Sequence, residues 1–547
     1  MSARLRDAGD AGLLLQLGST IDPAINARAL AVAAAFRQRA FAGVRDVVPT
    51  YHSVAVHFDP ATADRDALAS ALEEMATTAP AYDGGALIEV PVTYGGEHGP
   101  DLDAVAGYAG LAPRAVIDRH AGREYRVFML GFMPGFPYMG LVDAAIAAPR
   151  RATPRVRVPE GSVGIAGAQT GIYPCTSPGG WQIVGHTPMC LFDVVRPQPA
   201  TFAAGDRVRF VEAAGAVPPP VARPRAETLA STGPALTVVR PGLFTTIQDG
   251  GRWGYQASGV PVAGAMDRSA LHVANEIVGN GADEAALEIT LLGPELRVEQ
   301  SSVIAIAGAD LGATVDGRAV PLNVAIACRG GSQVRFTGRR RGGRAYLAVR
   351  GGLDVPRVLG SRSTHVRAVM GGLEGRALRA GDRVPIGTEV RASHDRGGMA
   401  IATLMNVGSE TGSREPVTLR VVHGPQYDWF PDEAFERLQS GRFTVQPDSD
   451  RMGFRLSSDT TIARRSDEEM ISDATFTGAL QVPPSGQPIL LMADRPTTGG
   501  YPQIAVVISA DLPRAGQLVP GDEIRFTFCS LAEAQAAVRR THGSGAA

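Results

Sequence analysis

Ala204-Gly205-Asp206-Arg207-Val208-Arg209-Phe210 is a phrase that returns twice, as Ala380-Gly381-Asp382-Arg383-Val384 and as Pro520-Gly521-Asp522-Glu523-Ile524-Arg525-Phe526. Each copy sets a Gly-Asp turn before a run that alternates apolar and polar residues. Glycine supplies the left-handed backbone a tight turn needs, and alternation is the mark of a half-buried strand. Recurrence of one closing element predicts related β modules that end the same way. Short alternating strands with Gly punctuation fill the chain between the copies, which argues for barrels or closed sheets.

Upstream of the first copy the pattern changes. Residues 1–85 read as a small α+β domain in the order β-α-β-β-α, suggesting a ferredoxin-like layer. Asp22-Pro23 predicts a helix N-cap with Pro at the first helical position, opening an Ala-rich helix to about residue 40. His52 and His57 fall five apart in a strand region, on opposite faces, so no metal site is read there. Residues 86–212 read as a β domain, and 213–234, rich in Pro and Ala, as an extended linker. Residues 235–392 and 393–530 read as two further β-barrel domains, and 531–547 as a tail that ends in disorder. The fold class is mainly β with an α+β N-terminal domain.

Composition excludes several functions. The 547 residues carry a net charge of -2 with no basic stripe, so no nucleic-acid partner is expected. No apolar run approaches the roughly 20 residues that span a bilayer, and the N-terminus lacks a signal-peptide core. Four widely spaced cysteines form neither CxxC nor a zinc pattern, so a reducing cytoplasm and no metal are expected. All 53 basic residues are arginine. Without lysine the chain cannot carry covalent biotin or a pyridoxal Schiff base, and it has no Walker A lysine. Anion handling must use arginine or backbone N–H groups.

Several long stretches, taken together, resemble one family. Gly131–Leu141 (GFMPGFPYMGL) and Val163–Pro188 (VGIAGAQTGIYPCTSPGGWQIVGHTP) are similar to allophanate hydrolase subunit 1, the KipI type. Pro241–Asp267, Ala286–Leu296, Leu359–Asp382, Ser449–Leu456 and Ala493–Ser509 are similar to subunit 2, the KipA type. The resemblance implies a fused pair of the two subunits. Such a pair forms the carboxyltransferase part of urea carboxylase and two subunits, the B and C types, of bacterial 5-oxoprolinase. It also implies cyclophilin-like β-barrels in both halves. The amidase-signature hydrolases use a Ser-Ser-Lys constellation, which a lysine-free chain cannot supply.

Two polar clusters are candidate sites. In the second half, Asp494, Arg495, Thr497, Thr498, Gly499, Gly500 and Tyr501 offer a cation, two hydroxyls and N–H groups suited to a carboxylate, carboxyphosphate or carboxybiotin. Arg451 is a second anion clamp. In the Val163–Pro188 stretch, His186 is the candidate acid/base or hydrogen-bonding group. Gln169, Tyr173, Ser177, Gly179 and Gly180 would line the substrate. Gln248, Asp249 and Asp310 are further polar candidates at strand ends. Asp267 reads as a helix N-cap. Glu288, isolated in an apolar run, is expected to be buried and therefore paired or protonated. The Val163–Pro188 stretch is expected to meet the Asp494–Tyr501 loop across the two halves.

The first functional expectation is an ATP-dependent 5-oxoprolinase subunit that opens 5-oxo-L-proline to L-glutamate with a separate partner of the LamB/YcsF type. ATP would act through the complex, with its site unassigned. The alternative is a carboxyltransferase taking carboxybiotin from a carrier in trans, acting on a small amide. A third is a histidine-kinase regulator. Homo-oligomerisation stays open.

Overall fold

The three Gly-Asp phrases fold alike. In a computed structural model that describes residues 3–82, 84–213, 233–388 and 415–543, Gly205, Gly381 and Gly521 take φ of 102°, 88° and 91°. The aspartate carboxylate then accepts the N–H three residues back: Ala203 at 2.7 Å, Arg379 at 2.6 Å and Val519 at 3.1 Å. The motif is local, so each copy forms wherever its six residues occur.

Two of the copies close barrels. Strand Arg207–Glu212 lies parallel to Leu87–Tyr94 and antiparallel to Glu124–Leu130. With Pro137–Gly140, Ser162–Ala166, Gln169–Ile172 and Gln182–His186 these form a closed seven-stranded barrel. Strand Glu523–Phe528 repeats the arrangement, parallel to Val417–His423 and antiparallel to Phe443–Val445, in a second closed seven-stranded barrel. A parallel neighbour at the point of closure is what lets the last strand return beside the first.

The third copy corrects an expectation. The sequence pattern predicts a barrel over residues 235–392, but the described strands pair as two open sheets, one of six strands and one of five. Strand Arg383–Pro385 ends the six-stranded sheet beside Ala235–Arg240. The alternation of the five-stranded sheet explains this. Ile304, Ile306, Leu347 and Val349 point between the sheets into a shared core. Ala305, Ala307, Tyr346 and Ala348 point the other way, onto Leu271, Ala274 and Val278 of helix Arg268–Val278. A helix already covers the second face, so burial is complete without closure.

The N-terminal layer has the helices and strands read from sequence, and one more strand. Asp22 caps helix Pro23–Gln38 through Ala24 N at 2.7 Å and Ile25 N at 3.1 Å. Gly12–Gln16, Val44–Pro49 and Ser53–Phe58 pair antiparallel, and Arg4–Asp7 adds an edge beside Gly12–Gln16. That edge takes the place of the strand that would follow the second helix in a ferredoxin-like layer. Leu13, Leu15, Val54 and Val56 face the two helices. Leu14, Val48 and Ala55 face Phe476, Val506 and Ile508 on the outside of the second barrel. Both faces are therefore covered, and every residue of Ser53–Phe58 is buried.

Helix Leu531–Gly543 lies within the region read as a tail. The expected linker core, the expected boundary at 392/393 and the last four residues lie outside the described residues. No helix among the described residues is long and apolar enough to cross a membrane.

His120 gives the first barrel a pH dependence. Thr170 Oγ1 donates to Gly164 O at 3.0 Å, so it accepts from His120 Nε2–H at 2.9 Å. Nδ1 then accepts from the Tyr94 hydroxyl at 2.8 Å. Complete burial pushes the imidazole pKa down to about 3. The unfolded chain binds a proton near pH 6.5 and the folded chain does not. Stability is therefore present above about pH 6.5 and falls as pH drops towards 3, by ~1.4 kcal/mol per pH unit. The urea midpoint should fall more steeply between about pH 6.5 and about pH 4.5 than in His120→Gln. Parallel slopes would remove His120 as the cause.

Candidate active site at the seam of the two halves

Four parts of the chain converge where the first barrel meets the second. The loop after strand Glu124–Leu130 carries Gly131, whose place is fixed by close approach. A Cβ there would lie 2.1 Å from Thr498 Oγ1. Phe132 N donates to that hydroxyl at 3.1 Å. Gly135 N reaches Ser258 O at 2.9 Å, and Leu130 bridges to Ser258. From the N-terminal layer, Asp46 accepts Gly254 N at 2.9 Å and Gln256 N at 3.1 Å. Arg45 lies over the Trp253 ring.

The loop that reaches Thr498 is thus Gly131–Pro137, not the Val163–Pro188 stretch expected from sequence. The latter stands one layer behind. Tyr173 and Trp181 pack edge-on against Phe136, at 5.4 Å each.

Behind the seam lies a buried ionic frame. Arg451 holds Asp494 through Nε at 3.0 Å and Nη2 at 2.9 Å, and it also donates to Glu288 and to Gly264 O. Glu288, buried as its isolation in an apolar run predicts, further accepts Tyr346 Oη at 2.7 Å and Met266 N at 2.9 Å. Burial works against the Arg451 charge, but Asp494 and Glu288 outweigh it, so its pKa is raised. All three guanidinium nitrogens are engaged by protein. Asp267 caps helix Arg268–Val278 through Ala270 N at 2.9 Å, as read, and accepts Gln517 Nε2 at 2.7 Å. Burial pushes its pKa up to about 6.

Two other buried arginines differ from Arg451. Arg495 is 2% exposed and Arg252 is 0% exposed. Arg495 donates to Thr477 Oγ1 at 3.1 Å, Thr475 Oγ1 at 3.0 Å and Gln256 Oε1 at 2.6 Å. Arg252 donates to Val358 O at 2.8 Å and Ser363 O at 2.9 Å. Every one of these acceptors is neutral. Burial lowers the Arg495 pKa to about 10, with Asp46 acting in the opposite direction. Burial likewise lowers that of Arg252, against the charges of Asp249 and Asp494. Arg252 Nη1, Gln256 Nε2 and Thr497 Oγ1 are buried without a hydrogen-bond partner. His57 and His365 complete the surroundings. Burial drives both imidazole pKa values down, with Arg495 adding to the effect on His57 and Asp494 opposing it on His365.

Of the residues singled out from sequence, Arg451, Asp494, Arg495, Thr497 and Thr498 come together here. Gly499 pairs with Asp473 across a two-stranded ladder, and Tyr501 is exposed. His186 contacts Glu160 O at 2.9 Å and lies 5.6 Å from the His98 ring, both in the first barrel. Gln169 opens a barrel strand opposite Gly140. Ser177 and Gly179 pair with strand Arg155–Val158, and Gly180 O accepts Arg151 N. The Asp249 carboxylate accepts Gly251 N, Arg362 N and the hydroxyls of Ser361 and Ser363, which ties a turn together. Gln248 Nε2 donates to Thr246 and Thr364 O. Asp310 accepts Gly312 N at a sheet end of the two-sheet unit. Among the described residues no group of three or more His, Cys, Asp or Glu side chains is placed to hold a metal. Sequence reading missed Asp46, Arg252, Gln256 and His365 at the seam. An arginine among Gly and aromatic residues in Gly250–Gln256 was the one available signal.

The carboxyltransferase domain, subdomain C and D, matches residues 3–202, and subdomain A and B matches residues 258–528. The chain is 40% identical over 299 residues to the C-type 5-oxoprolinase subunit of Escherichia coli (strain K12), covering 55% of this chain and 93% of that protein. It is 40% identical over 220 residues to the B-type 5-oxoprolinase subunit of Bacillus subtilis (strain 168), covering 38% and 92%. Urea amidolyase of Lachancea kluyveri is 35% identical over 306 residues, 53% of this chain but 17% of that protein. The crystal structure of TTHA0988 superposes with a TM-score of 0.81 at 37% identity, covering 96% of this chain and all of that one. The chain belongs to the carboxyltransferase-domain family and joins, in one polypeptide, a B-type half and a C-type half of the 5-oxoprolinase kind.

Proposed function

We propose that this chain is a fused subunit of an ATP-dependent 5-oxoprolinase, which opens 5-oxo-L-proline to L-glutamate together with a separate LamB/YcsF-type partner. The observation that carries the reading is the pair of buried guanidinium groups, Arg252 and Arg495, that hydrogen-bond only to neutral acceptors. A buried cation without a bonded counter-charge is unfavourable unless an anion completes it, and such groups concentrate at functional sites. The substrate carboxylate supplies that anion. The unbonded amide N–H of Gln256 and the Thr497 hydroxyl are donors for the lactam carbonyl oxygen. Arg451 keeps Asp494 in place behind them. ATP enters through the complex: one water adds across the lactam C–N bond, a second takes the phosphoryl group, and ADP and phosphate leave. Near-complete coverage of both 5-oxoprolinase relatives, the C type and the B type, supports this choice.

A second reading has one observation in its favour, the 35% identity to urea amidolyase. The chain would then accept carboxybiotin from a separate carrier, since it has no lysine to bear biotin itself. The same guanidinium pair would take the carboxyl group.

The test is glutamate release from 5-oxo-L-proline, using this chain, the partner and ATP, with each left out in turn. Activity that needs all three is the expected result. A folded partner with no glutamate formed, and binding of a biotinylated protein instead, would overturn it in favour of carboxyl transfer.

A further inference from the structure

A cavity of about 320 Å³ lies between the N-terminal layer and the second-barrel half of the chain. Its lining includes His52 and Asp473, both buried, with Arg4, Trp429, Glu468 and Glu469. Asp473 is fixed through one oxygen alone. Oδ1 accepts Thr50 Oγ1 at 3.0 Å, the Ser53 hydroxyl at 2.5 Å and Ala474 N at 2.9 Å. Oδ2 has only His52 Nε2, at 3.9 Å. His52 is 6% exposed, and its Nδ1 has no partner. The pair therefore keeps a carboxylate oxygen and an imidazole nitrogen with hydrogen-bonding capacity unused.

The remaining charges are arranged unevenly. Arg6 and Asp428, also in the lining, pair with each other at 2.6 Å and cancel. That leaves Arg4 against Asp473, Glu468 and Glu469, an excess of negative charge with one guanidinium among it. A ligand that matches this has more than one cationic group and a single carboxylate.

We propose that this cavity binds a basic α-amino acid. Its ammonium donates to Asp473 Oδ2 beside His52, and its carboxylate meets the planar fork of Arg4. Its second cation lies between Glu468 and Glu469, and its methylene stem lies on the Trp429 indole. An acidic side chain would face like charge, so L-glutamate is discriminated against. The proposal does not depend on the reaction assigned above. Because Asp473 pairs with Gly499, an occupant would sit one strand from the loop that carries Arg495.

Titration calorimetry of the full chain tests this without any activity assay. The probes are L-lysine, N-α-acetyl-L-lysine and L-glutamate. L-Lysine should bind, and N-α-acetyl-L-lysine and L-glutamate should bind at least about tenfold more weakly. Asp473→Asn should weaken L-lysine about tenfold or more. The double variant Glu468→Gln/Glu469→Gln changes only exposed side chains, so it leaves the fold intact, and it should weaken L-lysine as well. Absence of heat with L-lysine up to about 10 mM would overturn the proposal. So would equal binding of L-glutamate, or binding that neither variant alters.

Discussion

Arg451→Met is expected to lower the stability of the chain by about 3–5 kcal/mol. The methionine side chain fills much of the volume but bonds to nothing. Glu288 and Asp494, at 1% and 7% exposure, would be left as buried carboxylates without their shared cation. Arg451 also donates to Gly264 O, so the loss falls on the contact between the two-sheet unit and the second barrel. Urea unfolding followed by far-UV circular dichroism reads the effect, and Glu288→Gln in the same background should recover part of it. A midpoint unchanged from wild type would refute the expectation.

Arg495→Met should behave in the opposite way. Arg495 is buried but has no carboxylate among its bonded partners. Removing it discards a desolvated charge, and each hydrogen-bond partner it leaves behind is neutral. The urea midpoint should stay level or rise, while under the proposed 5-oxoprolinase function kcat/KM for 5-oxo-L-proline, measured with the partner and ATP, falls by about 10²–10³. Arg252→Met should follow the same pattern. A structural ion pair would lose stability and activity together, so the split between the two measurements is what identifies an anion-binding role. Destabilisation of Arg495→Met by the amount expected for Arg451→Met would refute it.

The contrast between the two arginines also marks how far sequence reading reaches. Both belong to polar motifs that stand out from apolar surroundings. Their roles are not separable from sequence, because the partners lie far along the chain: Glu288 is 163 residues from Arg451, and Gln256 is 239 from Arg495. Glu288 itself is legible as a buried, paired group, since a lone carboxylate in an apolar run has few other fates. Asp46 and Gln256 carry no such signal. They matter through contacts between separately folded layers, and no periodicity records those. His186 draws attention as the histidine of a Gly-rich loop, yet its neighbours are all in its own barrel.

What the sequence by itself determined is what short-range bonding enforces. The Gly-Asp turns, the Asp22 and Asp267 caps, the alternation of the strands and the consequences of having no lysine all depend on residue type and a few neighbours. The tertiary structure decided the rest. The same closing phrase ends a barrel at Phe210 and Phe526 but a sheet edge after Asp382, because helix Arg268–Val278 covers the face that closure would otherwise bury. Packing likewise decided which buried arginine is bonded to carboxylates, Arg451, and which is bonded only to neutral acceptors, Arg495. Charges are neutralised by whatever packing brings within about 4 Å, and that distance is set by the assembled domains, not by spacing along the chain.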